Sequence, residues 1–334
     1  MKIPFIIAEM SGNHNQSLNR ALAIVEAAAH AGAHAIKLQT YTAETMTLRG
    51  TVTIDDKNSL WHGEELFDLY KKAYTPWEWH APIFKRAKEL GMMAFSSPFD
   101  ATAVDFLEEL NAPIYKIASF ENTDHPLLKK VAQTGKPVIM STGVSTIADI
   151  AESVEVLRAN GCKDLTLLKC TSTYPASPEN SNLNTIPHLR SLFDCKVGLS
   201  DHTMGIGVPI AAIALGAEVI EKHFTLSRAD VGVDSAFSLE PAELKSLVIE
   251  SERAYQAMGN IQYGIQDAEK NSKLFKRSIY VAENITQGEK YSEKNLRVIR
   301  PGLGLEPKYY EMLIGKTANK DLKKGQPLSM EDVM

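Results

Sequence analysis

Residues 138–172, VIMSTGVSTIADIAESVEVLRANGCKDLTLLKCTS, contain the unit that decides the fold. Two apolar runs, at 138–143 and 165–172, flank an amphipathic segment at 147–159. Continuous apolar runs are typical of strands buried on both faces of a parallel sheet. Thr146 stands directly before the amphipathic segment, where a helix N-cap is expected. The stretch therefore predicts a strand, a helix and a second strand.

The same alternation recurs on both sides of this unit. Further strand-sized apolar runs occupy residues 5–10, 35–41, 92–98, 114–119, 196–202 and 219–225. Amphipathic segments occupy residues 18–31, 77–90, 101–110 and 208–216. Eight strands, most of them followed by a helix, predict a (β/α)8 TIM barrel. A doubly wound open sheet is the alternative, but no Gly-x-Gly-x-x-Gly turn follows the first strand.

Two segments fall outside the simple barrel pattern. The insert at 44–72 contains apolar residues at helical spacing, which predicts a short amphipathic helix over the barrel mouth, either a lid or a structural flap. A final barrel helix is predicted at 241–258. Beyond it, residues 284–288 and 321–325 begin two similar segments, which indicates a small pseudo-symmetric domain. We therefore predict a barrel at 1–258, a linker at 259–274 and a second domain at 275–334.

The bulk properties exclude several classes of protein. The 334 residues carry a net charge of −5, so the basic excess of a nucleic-acid-binding protein is missing. The apolar runs are of strand length, far below the ~20 residues that span a bilayer. The three cysteines, Cys162, Cys170 and Cys195, lack the spacing of a disulfide framework. These features predict a cytoplasmic protein that binds neither nucleic acid nor membranes.

Polar residues stand at the ends of nearly all the predicted strands. They are Glu9, Lys37, Gln39, Ser96, Ser97, Lys116, Ser119, Ser141, Thr142, Lys169, Thr171, Ser172, Ser200, Asp201, His202, Lys222 and His223. Active sites of TIM barrels lie at this edge of the sheet. Lys37 and Lys116 are flanked by apolar residues, so we expect both side chains to point into the barrel. Buried ammonium groups need an anion. The sequence predicts a site for a phosphate-bearing acid, or salt bridges to Glu9 or Glu121 instead.

Two histidines end successive predicted strands. Because neighbouring strands lie ~4.8 Å apart, His202 and His223 can converge on one divalent cation. Nitrogen ligands favour Mn²⁺, Zn²⁺ or Co²⁺ over Ca²⁺, and two protein ligands would leave positions open for water and substrate. Asp201 is interpreted as a residue that contacts one of these metal-binding histidines rather than the metal itself. Glu9 is interpreted either as a proton-transfer group or as one half of a buried salt bridge.

These residues also carry a resemblance to a known family. The segments are IAE (7–9), NHN (13–15), KLQT (37–40), YKIAS (115–119), STG (141–143), GLSDHT (198–203) and EKHF (221–224). In order and spacing they resemble the sialic acid synthases. The tail, with VIRPG at 298–302, resembles their antifreeze-like (SAF) domain. EMSGNH (9–14), QTYT (39–42), the insert at 60–80 and DSAFS (234–238) most resemble the pseudaminic acid synthase subgroup.

The resemblance implies a role for individual residues. Phosphoenolpyruvate would be bound by Lys37, Ser97, Lys116, Ser119, Ser141 and Ser200. Ser172 also matches a contact position, although N-acetylneuraminate synthases typically have Asn there. The metal would be held by His202 and His223, usually as Mn²⁺, with Co²⁺ or Mg²⁺ as alternatives, and both histidines would be catalytic together with Glu9. The sugar would be bound by Gln39, Tyr174, Asp234 and Arg300. Arg300 would reach the active site of the other subunit of a domain-swapped homodimer.

The implied reaction condenses phosphoenolpyruvate with an open-chain 2,4-diacetamido-2,4,6-trideoxyhexose to give pseudaminic acid and phosphate, for surface glycan or flagellin glycosylation. N-acetylneuraminate or legionaminate synthase is the alternative within the family. Outside it, a metal-dependent pyruvate aldolase and a Schiff-base aldolase using Lys116 remain open. Ice binding is the non-enzymatic alternative, and the Lys- and Glu-rich tail lacks the Thr-rich face it requires.

Overall fold

Eight parallel strands close into a barrel in chain order in the computed structural model, which describes residues 4–57 and 59–334. The strands are β1 Phe5–Glu9, β2 Ala35–Thr40, β3 Met93–Pro98, β4 Tyr115–Ile117, β5 Val138–Ser141, β6 Leu165–Cys170, β7 Lys196–Asp201 and β8 Val219–His223. Because β8 pairs with β1, the ring has no open edge. The predicted (β/α)8 barrel is confirmed and the open sheet is wrong. Most strands end one or two residues before the predicted position.

Helices follow the strands around the barrel. They are α1 Leu18–Ala31, α2 Ala43–Met46, α3 Leu66–Ala73, α4 His80–Glu89, α5 Ala101–Glu109, α6 His125–Ala132, α7 Ile147–Ala159, α8 Thr185–Phe193, α9 Gly207–Ala214 and α10 Pro241–Met258. Helix α7 has the predicted cap, because Thr146 and Asp149 bond each other's backbone N–H. Helices α6 and α8 were not identified from the sequence, since both are short and carry a proline in the first turn.

The inside of the barrel is built in layers along each strand. The lower part is an apolar layer, two inward positions deep on β1, that consists of Phe5, Ile7, Ala35, Phe95, Ile114, Ile139, Leu168 and Val219. Side chains of a strand alternate between its two faces, so the next inward position lies two residues further on. Those positions are polar: Ile7 is followed by Glu9, Ala35 by Lys37 and Ile114 by Lys116. The apolar layer thus closes the barrel beneath a buried polar site.

Residues 260–334 form a second compact unit. It contains an antiparallel pair, β9 Ser278–Val281 and β10 Leu296–Ile299, the short helix α11 Tyr310–Leu313, and a core of its own. Its two similar segments pair with each other through Ile285 and Leu322. Each segment also accepts a hydrogen bond from the other. Asn284 Oδ1 accepts from the backbone N–H of Lys324, and Asp321 Oδ1 accepts from that of Gln287. A 3₁₀ helix, Asp267–Phe275, occupies the second half of the predicted linker, 259–274, and ends one residue beyond it. In the described part of the chain, no helix is long and apolar enough to cross a bilayer.

A buried ion pair joins β7 to β8 on their outer face. Lys222 Nζ lies 2.9 Å from Asp201 Oδ2, and the two side chains are 0% and 3% exposed. Asp201 also accepts hydrogen bonds from the backbone N–H and the hydroxyl of Thr203. The interpretation of Asp201 as a partner of a metal ligand is therefore wrong, because its carboxylate faces Lys222 away from the barrel interior.

Replacing Lys222 by methionine is expected to lower the free energy of unfolding by about 3 kcal/mol, because Asp201 would remain buried without its counter-ion. Urea unfolding followed by far-ultraviolet circular dichroism measures the change. The double variant Lys222→Met/Asp201→Asn should recover a large part of the loss, since it leaves no buried charge. Equal stability of Lys222→Met and the unaltered protein would contradict this account.

Candidate active site

Two lysines meet inside the barrel above its apolar layer. Lys37 on β2 and Lys116 on β4 are both buried. Their Nζ atoms lie 3.9 and 3.8 Å from the two carboxylate oxygens of Glu221 on β8. Lys37 also forms an ion pair with Glu9 on β1. The predicted convergence of the lysines is thus observed, together with the alternative salt bridge to Glu9.

Glu221 is the group that analysis of the sequence missed. It lies two residues before His223 and therefore faces the same side of β8. Ser200 Oγ donates to Glu221 Oε1 at 3.0 Å, while Glu221 Oε2 is buried and has no hydrogen-bond donor among the described residues. The available signal in the sequence was the spacing of Glu221, since it shares the inward face of the predicted strand with His223.

The buried charges shift one another's proton affinity. Burial raises the pKa of Glu9 to about 7, although Lys37 opposes the shift. Burial alone would also raise the pKa of Glu221, but Lys116 and Lys37 hold it below its ordinary value. Glu221 is therefore a fixed anion, while Glu9 can gain or lose a proton near neutral pH. Burial lowers the pKa of Lys116 because it disfavours the charged ammonium form. An anionic substrate beside Lys116 would stabilise that form.

Hydroxyl groups surround the two lysines. Lys116 Nζ donates to Ser141 Oγ at 2.7 Å and Lys37 Nζ to Ser97 Oγ at 3.3 Å. Ser119 Oγ accepts from the backbone N–H of Gly143 at 3.2 Å. A Cβ atom on Gly143 would lie 2.2 Å from Ser172 Oγ and 2.7 Å from Ser119 Oγ, so glycine permits this close approach. The structure thus brings five of the six serines predicted from the sequence to this site, namely Ser97, Ser119, Ser141, Ser172 and Ser200. The prediction is wrong for Ser96, because neighbouring residues of a strand face opposite sides and its hydroxyl bonds Thr40 Oγ1 at 2.6 Å on the outer face of the sheet.

Glu121 stands at the same end of the barrel. Burial raises its pKa to about 7, and Lys116 opposes the shift. A carboxyl group whose pKa is raised by folding favours the folded state at low pH, and this contribution is lost as pH rises through the folded pKa. Near pH 8, the free energy of unfolding of Glu121→Gln should therefore exceed that of the unaltered protein by on the order of 2 kcal/mol. Near pH 5, the two free energies should be almost equal. Urea unfolding at both pH values tests this, and equal stability near pH 8 would contradict it.

The two predicted metal ligands face each other beside the lysine pair. The ring centroids of His202 and His223 are 5.3 Å apart. His202 Nδ1 donates to the carbonyl of Thr171 at 2.9 Å, so Nε2 is the nitrogen left to face a cation. Burial lowers the pKa of His202, but its interactions with Cys170 and with the carbonyl of Thr171 together outweigh this effect and raise the pKa above its ordinary value. His223 Nδ1 is buried without a hydrogen-bond partner among the described residues, and it lies 3.7 Å from Asp234 Oδ2. Burial, reinforced by His202, holds the pKa of His223 well below its ordinary value, so its imidazole is neutral.

These features fit a divalent cation. Metal-binding histidines commonly donate one ring nitrogen to a carbonyl, as His202 does to Thr171. His223 supplies an unpartnered buried nitrogen that a cation would satisfy. No group of three or more His, Cys, Asp or Glu placed to hold a metal occurs among residues 4–57 and 59–334. Two imidazoles would therefore leave positions open for water and substrate.

Of the residues assigned to the sugar by resemblance, Tyr174 and Asp234 lie beside the imidazoles, Gln39 lies beside Glu9, and Arg300 is in the second unit. Gln39 Nε2 donates to Glu9 Oε1 at 3.3 Å. The ring of Tyr174 is 4.4 Å from the ring of His202, and Asp234 is beside His223. Arg300 is exposed in the second unit. Periodicity and charge pattern found neither Asp234 nor Arg300, since both lie outside the barrel strands, and only the resemblance pointed to them.

The fold and the site together define a class: a TIM barrel with a buried pair of lysines for a small anion and a bis-imidazole edge for a cation. Comparison with known proteins gives the family. Residues 24–263 match the NeuB family and residues 276–334 match the SAF domain. The chain belongs to the NeuB family. The resemblance to the sialic acid synthases is thereby confirmed.

Relatives match the chain over almost its full length. It is 43% identical to a pseudaminic acid synthase of Campylobacter jejuni over 98% of this chain and 96% of the relative. It is also 43% identical to a pseudaminic acid synthase of Helicobacter pylori, over 99% and 98%. The solved N-acetylneuraminic acid synthetase of Leptospira borgpetersenii superimposes with a TM-score of 0.73 at 34% identity, covering 81% of this chain and 90% of that one.

Proposed function

We propose that the protein joins phosphoenolpyruvate to an open-chain 2,4-diacetamido-2,4,6-trideoxyhexose, releasing phosphate and giving pseudaminic acid. The observation that carries the proposal is the convergence of Lys37 and Lys116 on Glu221 beside two imidazoles. The identity of 43% to two pseudaminic acid synthases supports this choice of sugar. Such a protein is a carbon–carbon bond-forming transferase.

The lysine pair suits the anionic substrate. Phosphoenolpyruvate carries a phosphate and a carboxylate, and two ammonium groups with several hydroxyls offer charge-assisted hydrogen bonds to both. Ser97 and Ser141 already bond the lysines, which holds the ammonium groups in place before substrate arrives. Fixed donors need no rearrangement during the reaction, so they stabilise the developing charge effectively.

The chain's own acid and base come from Glu9. C3 of the enol phosphate attacks the C1 aldehyde, water then adds at C2, and phosphate leaves. A carboxyl group with a pKa of about 7 can give a proton to the new alkoxide and take one from water. A divalent cation held by His202 and His223, which we assign as Mn²⁺ with Co²⁺ or Mg²⁺ as alternatives, would polarise the aldehyde as a Lewis acid.

We also propose that the protein works as a domain-swapped homodimer in which Arg300 enters the site of the other subunit. The family resemblance and the exposure of Arg300 within its own unit support this arrangement. Mixed dimers of inactive Arg300→Ala and inactive Lys116→Met subunits would then contain one intact site. Recovery of activity on mixing supports the swap, and failure to recover contradicts it.

The three unpaired cysteines support a cytoplasmic location.

N-acetylneuraminate or legionaminate synthase activity is the second candidate, supported by the similarity to the Leptospira enzyme at 34% identity. Ser172 argues against the N-acetylneuraminate enzyme, because the sequence resemblance places Asn there in that subgroup. A pyruvate aldolase would release no phosphate and would have no use for the hydroxyl-lined lysine pair.

The decisive assay incubates the purified protein with Mn²⁺, phosphoenolpyruvate and a panel of amino-sugars, then records product mass and inorganic phosphate. We expect stoichiometric phosphate release with the 2,4-diacetamido-2,4,6-trideoxy sugar and a product mass equal to that of pseudaminic acid. Pyruvate in place of phosphoenolpyruvate is the control and should give no product. Product formation from pyruvate would establish an aldolase instead.

A further inference from the structure

The insert between β2 and α4 reaches across the barrel mouth through a single tryptophan. Trp61 Nε1 donates to the carbonyl of Val233, in the loop after β8, at 3.1 Å. The ring of Trp61 lies 5.8 Å from the ring of Tyr174, in the loop after β6. One side chain of the insert therefore contacts the loops of two distant strands.

Tyr174 continues this contact down to the imidazoles. Its ring lies 4.4 Å from the ring of His202 and 5.4 Å from that of Phe237, which in turn is 4.9 Å from the ring of His223. We refer to Trp61, Tyr174 and Phe237 as the aromatic cap. A second substrate that approaches the imidazole edge meets this set of rings.

Trp61 is not required to anchor the insert. The predicted amphipathic helix of the insert is α3, and its residues Phe67 and Leu69 are each only 8% exposed. The ring of Tyr70 contacts that of Tyr41, with centroids 5.8 Å apart, and Gln16 Nε2 donates to the carbonyl of Lys72 at 3.0 Å. The insert thus has its own attachment, whereas Trp61 remains partly exposed. Its position calls for an explanation other than packing.

The chemistry of aromatic rings indicates the ligand. Aromatic faces bind CH and methyl groups well, and they offer hydroxyl groups no hydrogen-bond partner to replace water. The indole N–H of Trp61 is already used by Val233, so its remaining surface is apolar. A sugar with acetamido and deoxy methyl groups fits such a surface better than one with a hydroxymethyl group.

We propose that Trp61 is a specificity-determining residue that favours methyl-bearing, deoxy amino-sugars over hydroxymethyl amino-sugars at this site. The inference rests on the proposed function, because it concerns the second substrate of that reaction. The phosphoenolpyruvate site is formed by other strands, so Trp61 acts on the sugar alone. One methyl group in an apolar pocket gives roughly 10-fold discrimination.

The test compares the 2,4-diacetamido-2,4,6-trideoxy sugar with N-acetylmannosamine in Trp61→Ala. We expect KM for the trideoxy sugar to rise about 10-fold, and the ratio of the two kcat/KM values to fall by a similar factor. KM for phosphoenolpyruvate should stay within about twofold of the original value. The exposed neighbour provides the matched control, so Leu60→Ala should change neither quantity.

Trp61→Phe separates the ring from its hydrogen bond. It should keep most of the discrimination, and the sugar-dependent change in tryptophan fluorescence should be smaller than in the unaltered protein. An unchanged ratio in Trp61→Ala, with the unaltered protein active, overturns this proposal alone. If the unaltered protein consumes phosphoenolpyruvate with neither sugar, the proposed function fails and this inference with it. If Trp61→Ala does not fold, an unaltered sugar-dependent fluorescence change in Trp61→Phe overturns the proposal.

Discussion

Replacing Lys116 by methionine is expected to lower kcat/KM for phosphoenolpyruvate by about three orders of magnitude. The substitution keeps the length of the side chain and removes one of the two ammonium groups that face Glu221. The one remaining ammonium group, on Lys37, already faces the carboxyl groups of Glu9 and Glu221, so an arriving anionic substrate would lack a counter-charge. Steady-state phosphate release and calorimetric titration with phosphoenolpyruvate measure the two effects separately.

The matched control for this experiment is Lys169→Met. Lys169 is the half-buried residue next to the last of β6. Its Nζ donates to Cys170 O and Thr171 Oγ1, and it is not part of the lysine pair. We expect its kcat/KM to remain within about threefold of the original value, since no substrate charge depends on it. Lys116→Met should stay folded because Glu221 keeps the ammonium group of Lys37 as a counter-ion and the hydrogen bond from Ser200. Folded protein with unchanged phosphoenolpyruvate affinity would rule out the proposed anion site.

Replacing His202 by alanine is expected to remove both metal binding and phosphate release. His202 is oriented by its hydrogen bond to Thr171 O, and without it His223 is left as the single imidazole. A lone imidazole binds divalent cations weakly, so we expect bound Mn²⁺ to fall below one tenth of an equivalent and kcat to fall by about three orders of magnitude. Elemental analysis of the desalted protein gives the metal content independently of activity.

Chelation of the unaltered protein should reproduce the loss, and added Mn²⁺ should restore activity there but not in His202→Ala. His30 is exposed in the last turn of α1, so His30→Ala serves as the control and should keep its metal and its activity. Full activity of His202→Ala, or an unchanged metal content, would reject the assignment of this histidine as a ligand.

Several features followed from the sequence because they depend on local periodicity. Continuous apolar runs predicted the strands, and alternation along each strand predicted which polar residues face inward. Lys37 and Lys116 were identified in this way, since an ammonium group between apolar neighbours on a buried strand must point into the barrel. His202 and His223 followed from their matching positions on successive strands.

Other features depended on how distant parts of the chain come together. Whether Lys37 would meet Glu9 or Glu121 could not be read from the strands, because it depends on the register of β1 against β2, which places Glu9 beside Lys37. Asp201 was misassigned since its partner Lys222 lies on a different strand. Trp61 gave no sign of its contacts with Tyr174 and Val233, which lie more than a hundred residues away along the chain.

The sequence by itself thus determined the barrel, its inward-facing charges and the family to which the chain belongs. Only the tertiary structure decided the partners of those charges, the central position of Glu221 and the contact of the insert with the mouth. The physical reason is that periodicity reports which face of an element is buried, whereas pairing across a closed sheet is set by the curvature and register of all eight strands together.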